Sequence, residues 1–215
     1  MARRFMNKNL IIVFTRNPEL GKCKTRLAAS IGDENALAVY KNLIQHTSNC
    51  VQAIKTDAVA FYTERIQKND VWDDSFFQKQ IQVEGHLGEK MQAAFQWGFS
   101  NGYENICIVG SDLFSLQVSD LVEAFQTLTQ NDLVFGPAKD GGYYLMGMKK
   151  LHLEAFLYKA WSTQTVLEET LKDLQGKSIS LLQTKNDVDT VEDLVQHPEL
   201  HQYIPQEVKV KLKIK

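Results

Sequence analysis

Four cations, Arg16, Lys22, Lys24 and Arg26, stand within eleven residues in the stretch FTRNPELGKCKTRLA, Phe14 to Ala28. The stretch follows the apolar run Leu10-Ile11-Ile12-Val13 and contains Pro18 and Gly21. Cations and free backbone N–H groups at a strand exit suit an anion, and the N-terminus of a following helix adds its dipole. The chemistry expected here is a phosphate cradle, although a solvated basic loop would have the same composition. LGKCKTRL is not a P-loop. That motif needs glycine where Arg16 stands and serine or threonine where Cys23 stands.

Carboxylates supply the second kind of chemistry. IVGSD ends in Asp112, where an acid at the end of a buried strand can hold a divalent cation together with substrate phosphates. The same residues, Ser111 and Asp112, also suit the cap of a turn or helix. NDVDT places Asp187 and Asp189 at alternate positions, which face one way in an extended segment. One of them can join Asp112 on a metal; alternatively, Asp189 or Thr190 caps the next helix. KDGGYY, with Asp140, Gly141, Gly142 and Tyr143, reads as a tight hairpin turn or as backbone close to a ligand. No two of His46, His86, His152, His197 and His201 have a metal-binding helical spacing. His86, in EGHLGEK before a helix, is the one histidine singled out.

Positioning these groups requires a scaffold. The 215 residues suit one α/β domain, and a hydrophobic fraction of 44% gives it a core. A net charge of -2 provides no overall field for nucleic acid or a membrane surface, so any basic site is local. No apolar run approaches the length of a membrane span, and Leu10–Phe14 is too short for a signal sequence. Three cysteines without C-x-x-C spacing point to a reducing cytoplasm rather than to a disulfide framework.

Continuous apolar runs predict buried strands at Leu10–Phe14, Asp57–Tyr62 and Ile106–Val109, with further strands at Ile81–Val83, Leu133–Phe135, Tyr143–Met148 and Ser178–Leu182. Helical spacing predicts helices from Asp33, as cap, to about Ile54, and over Leu87–Phe99, Val118–Leu128, Thr163–Leu174 and Thr190–Gln196. Trp72, Phe76 and Phe77 are expected to pack a long loop at 68–79, covering the core or serving a homodimer. The tail Val208–Lys215 alternates apolar residues with lysine and predicts an edge strand guarded by its lysines. Strand and helix alternating from the start imply a mostly parallel sheet, with ligands beyond the carboxyl ends of its strands.

The opening pattern F-x-R-x-P-x-x-G-x-x-K-T-R-L resembles that of a bacterial glycosyltransferase-like family, the radical-SAM/selenodomain-associated transferases. GHLGEKM, GSDLF, GPAKDGGYYLMGM, WSTQTVL and DVDTVEDL follow in the family's order and cover roughly residues 10 to 195, leaving 196–215 as a C-terminal extension. The resemblance implies a GT-A fold, a single Rossmann-like α/β/α domain with a mostly parallel, mixed sheet. This is the fold of nucleotide-diphospho-sugar transferases, which include 2-phospho-L-lactate guanylyltransferase. It also implies that Arg16, Gly21, Lys24, Thr25, Arg26 and Ser111 bind the nucleotide phosphates, with Lys24 and Asp112 catalytic. Mg²⁺ or Mn²⁺ is expected on Asp112 and Asp189, and an acceptor side at His86, Asp140, Gly141, Gly142 and Tyr143. Two positions depart from the family pattern: His86 stands where an aspartate is usual and Phe114 where a proline is usual.

The function expected is a metal-dependent transfer from a nucleotide or nucleotide-sugar donor to a small-molecule acceptor, as a glycosyltransferase. Nucleotidyl transfer releasing pyrophosphate is the alternative. A nucleotide-binding protein without catalysis is a third, motivated by the acid missing at His86.

Overall fold

The computed structural model describes residues 8–161 and 163–214. Its sheet is built from strands β1 (Asn9–Thr15), β2 (Asp57–Tyr62), β3 (Phe77–Ile81), β4 (Asn105–Gly110), β5 (Leu133–Pro137), β6 (Tyr143–Met148) and β7 (Ile179–Leu181). Their order is β3-β2-β1-β4-β6-β5-β7. All run in one direction except β6, which lies antiparallel between β4 and β5. The expected mixed, mostly parallel α/β/α sandwich is the one observed.

β1 and β4 are central because every residue from Leu10 to Val13 and from Ile106 to Val109 is buried on both faces. Ile11 and Val13 face one layer with Cys107 and Val109. That layer is closed by α2 (Asp33–Ala53) and α4 (Val118–Leu128) through Tyr40, Ile44, Leu121 and Leu128. Leu10 and Ile12 face the other, where Met91 and Phe95 of α3 (Leu87–Ser100) pack, with Leu174 just beyond α5 (Val166–Asp173). A third cluster joins α1 (Thr25–Ile31) and α2 to α6 (Val191–Val195) through Leu27, Leu43, Val188 and Leu194.

Four expectations are corrected. The tail is not an edge strand but a helix, α7 (Gln206–Leu212), begun by Pro205; Lys215 lies outside the described residues. Alternation with lysine hid a second period, in which Val208 and Leu212, four apart, pack on the third cluster while Val210 faces solvent. The strand expected at Ile81–Val83 is instead Phe77–Ile81, drawn back by pairing with β2 and by burial of Phe77. Gly32, at φ +83°, caps α2, and Asp33 is its first residue. The helix expected from Thr163 begins at Val166. The 68–79 loop covers the core of its own chain, for Trp72 and Phe77 are buried and meet edge to face at 5.2 Å.

Candidate active site

A cavity of about 500 Å³ opens beyond the carboxyl ends of β1 and β4, lined by Arg16, Lys22, Lys24, Thr25, Arg26, Ser111, Asp112 and Asp189 among others. Its first wall is the strand exit. The Tyr40 hydroxyl, reaching up from α2, accepts a hydrogen bond from the Arg16 backbone N–H at 2.9 Å and fixes the point where the chain leaves β1. Asn17 then clamps the neighbouring loop, accepting from the backbone N–H groups of Glu64 and Arg65 and donating to the Arg65 carbonyl. Helical spacing predicts a helix through Tyr40 but carries no signal that its hydroxyl reaches the strand exit.

The loop cations part company. Lys22 is exposed and paired to Glu19 at 2.7 Å. Arg16 is exposed and forms no carboxylate pair among the described residues. Lys24 turns inward with its side chain only 5% exposed, and Nζ donates to Asp112 Oδ2 at 2.9 Å and to Asp189 Oδ1 at 2.7 Å. Arg26 holds the other Asp189 oxygen at 2.5 Å. Lys24 reaches this position from the left-handed region, at φ +50°. A non-glycine residue there costs about 1–2 kcal/mol, a strain that collects at functional sites.

Asp189 is free for this role because another residue caps α6. Thr190 Oγ1 accepts from the Asp193 N–H, while the Asp193 carboxylate accepts from the Thr190 N–H at 2.9 Å. Asp112 likewise caps no helix; at α4, Asp120 accepts from the Gln117 N–H. The extended segment carrying Asp187 and Asp189 is fixed by a buried ion pair, Lys185 to Asp120 at 2.9 Å, and by backbone bonds to Pro137 and Lys139. Val188 points into the third cluster between them.

Burial disfavours the charged forms here, and the pairing decides each outcome. Burial opposes the Lys24 ammonium, but the charges of Asp112 and Asp189 outweigh it and raise the pKa. Asp112 is pushed up by burial yet held below the usual carboxylate value by Lys24. Asp187 has no such partner. Burial, then the charge of Asp112, pushes it up to about 7, and its Oδ1 is buried with no hydrogen-bond donor. An acid with a raised folded pKa contributes its full stability below its unfolded value of 3.8, and loses it as pH climbs to about 7. Asp187→Asn should therefore raise Tm at pH 8 and much less at pH 5. Equal shifts at both, read by thermal melts, would refute the burial argument.

The cluster suits a hard divalent cation. Asp112 and Asp189 already converge on one cation, the Lys24 ammonium, and Asp187 leaves an oxygen without a donor. Among the described residues no three acidic, histidine or cysteine side chains form a metal shell. Such a cation would therefore rest on one or two carboxylates plus ligand phosphates, the usual arrangement for Mg²⁺.

A second cavity of about 400 Å³ shares Arg26 and Leu87 with the first and is lined by Asp140, Gly142, Tyr143, Trp161, Gln164, Val166 and Asp187, among others. The remaining expected residues lie outside both. His86 is the N-cap of α3: its ring accepts from the Glu89 N–H and the Glu89 carboxylate accepts from its backbone. Gly141, at φ +88°, turns the hairpin where a Cβ would stand 1.9 Å from the Gln164 carbonyl oxygen, so its glycine is explained by packing. Gly21, at φ +72°, shapes the cation loop without lining the cavity. Phe114 sits between His46 and His197, each ring 5.1 Å away.

The architecture is that of the nucleotide-diphospho-sugar transferases and cytidylyltransferases. A structure from Desulfovibrio desulfuricans, provisionally assigned as a nucleotide-diphospho-sugar transferase, is 26% identical, with a TM-score of 0.83 over 97% of this chain and 95% of that one. A cytidylyltransferase from Leptospira borgpetersenii shares the fold at 12% identity and a TM-score of 0.59, over 96% and 94% of the two chains. A 4-diphosphocytidyl-2C-methyl-D-erythritol synthase from Anaerococcus prevotii does so at 10% and 0.57, over 90% and 98%. A search of curated proteins found no match. The chain belongs to the family DUF2064, described as an uncharacterized protein conserved in bacteria, whose profile matches residues 45–163.

Proposed function

We propose that the protein is a transferase using a nucleotide-activated donor, with glycosyl transfer as its reaction. The observation that carries this reading is the Lys24–Asp112–Asp189 cluster, set with Arg16 and Arg26 in one cavity at the carboxyl ends of β1 and β4. Donor phosphates would lie against Arg16, Lys24 and Arg26, positive charge placed where a departing nucleoside diphosphate gains negative charge. Asp112 and Asp189 would hold Mg²⁺ or Mn²⁺, which neutralises the diphosphate when bound. The acceptor hydroxyl would attack the sugar carbon as the bond from that carbon to the diphosphate oxygen breaks, the nucleoside diphosphate leaving and the hydroxyl proton passing to solvent.

The cytidylyltransferase fold relatives favour a second reading, nucleotidyl transfer, in which a phosphate-bearing acceptor attacks the α-phosphate of a nucleoside triphosphate. Thermal shift against nucleoside triphosphates, diphosphates and nucleotide sugars, with Mg²⁺, Mn²⁺ or EDTA, tests the site. A ligand at a hundred times its Kd adds about 2.7 kcal/mol, or roughly 5–10 °C at this size. Nucleoside diphosphate as product marks glycosyl transfer and pyrophosphate marks nucleotidyl transfer. No shift with any nucleotide would remove both.

A further inference from the structure

Beside the cation-lined cavity, the smaller one has a different chemistry. Asp140 and Asp187 line it, and Arg26 is the cation in its wall. That guanidinium faces both cavities: its Nη2 is bonded to Asp189 at 2.5 Å, and in the reading above its remaining donors serve the donor phosphates. An anionic group entering here meets the Asp140 carboxylate and finds no cation among the lining residues that the donor does not already claim. Hydroxyl groups, by contrast, meet acceptors. Asp187 Oδ1 is a buried oxygen without any donor, a state that native structures seldom leave unexplained. Gln164 has a neutral amide in the wall, with no side-chain partner among the described residues. Leu87, Val166 and Trp161 supply an apolar side against which the carbon face of a ring can lie. The wall is thus mixed, with polar groups placed beside one apolar side, a lining that can orient a small ligand.

We propose that this second cavity receives the acceptor as an uncharged, polyhydroxylated compound, a sugar ring or cyclic polyol, and excludes phosphorylated acceptors. The inference rests on reading the first cavity as the donor site. It adds the substrate class on the acceptor side and favours glycosyl transfer over the second reading given above, nucleotidyl transfer to a phosphate-bearing acceptor. Trp161 and Gln164 are its specificity residues.

Saturation-transfer NMR on the full chain tests this with methyl α-D-glucopyranoside, methyl α-D-mannopyranoside and myo-inositol against glucose 1-phosphate and glycerol 3-phosphate. Transfer should reach the ring protons of at least one neutral compound and be weaker for both phosphates. It should fall about fivefold or more in Trp161→Ala and in Gln164→Ala, the loss of one modest contact. Gln164→Ala guards against a folding defect, because Gln164 is exposed while Trp161 packs on Gly88. Stronger transfer to the phosphates, no transfer to any neutral compound, or a signal that survives both substitutions would overturn the proposal. Nucleotide protons followed in the same samples separate the two readings. Sugar transfer without any nucleotide transfer would sustain the neutral-acceptor pocket and sink the donor site.

Discussion

Lys24→Met should weaken nucleotide binding about a hundredfold and, in the opposite direction, tighten the binding of Mn²⁺ alone. The two effects follow from one position. Lys24 Nζ lies at 2.7 and 2.9 Å from two carboxylates and is nearly sealed from water. Without a ligand the ammonium is the counter-ion set between Asp112 and Asp189. A charged hydrogen bond to phosphate is worth about 1.5–3 kcal/mol, and its loss gives the drop in affinity. Removing the ammonium also removes the cation already occupying the carboxylate pair, so the divalent ion no longer competes with it. The folded state suffers as well. Breaking a buried ion pair costs about 3–5 kcal/mol, but Asp112 and Asp189 are 41% and 30% exposed, and solvent screens part of that. A loss near 2 kcal/mol, or roughly 6 °C in Tm, is expected. Isothermal titration with nucleotide and electron paramagnetic resonance of Mn²⁺ read the two affinities separately. Nucleotide affinity within twofold of the unaltered chain would place the phosphates elsewhere.

Much of the scaffold was legible in the sequence because its signals are local. Val118–Leu128 and Tyr143–Met148 stand where spacing placed them, and β1 and β4 announce themselves as unbroken apolar runs. The tail misled because two periods coexist in it. Its alternation with lysine suits a strand, whereas Val208 and Leu212 suit a helix, and only the third cluster, built from distant residues, decides between them. The site shows the same divide. The cation loop and both acidic motifs were visible as types and spacings, but the partners of Lys24 lie 88 and 165 residues away along the chain. No local pattern states that Lys24 turns inward while Arg16 and Lys22 face water. Family likeness supplied Asp112 and Asp189 together. Neither it nor the pattern separated Asp189, left free by Thr190, from the helix cap it could have been. His86 and Gly141, grouped with the acceptor by likeness, line neither cavity; one caps a helix and the other turns a crowded hairpin, while the His86 ring stacks on Trp161 of the second cavity at 6.2 Å. Trp161 opened the WSTQTVL block of the likeness but was given no role, and only the fold brought it to the wall beside Asp187.

Asp112→Asn should abolish the metal-dependent part of nucleotide binding while leaving the metal-free part intact or a few-fold stronger. This is the reverse of the Lys24 pattern, and it follows from the sign of the charge removed. Asp112 stands in the nucleotide cavity, is held ionised by Lys24, and repels a phosphate approaching that lysine. Asparagine keeps an oxygen for the ammonium but loses the charge that would draw a hard divalent ion. In the melts, EDTA and Mg²⁺ should then give the same nucleotide shift, where the unaltered chain gives a larger one with Mg²⁺. Turnover should fall by about 10³, the scale on which loss of a preorganised electrostatic group is felt. The pH profile adds an independent check. A carboxylate with a lowered folded pKa contributes stability above its unfolded value of 3.8 and loses it as pH falls. The unaltered chain should therefore lose stability toward pH 3 more steeply than Asp112→Asn. If the Mg²⁺ increment persisted in this variant, Asp112 would be a structural partner of Lys24 alone, and Asp189 with Asp187 would be the carboxylates left to hold the ion.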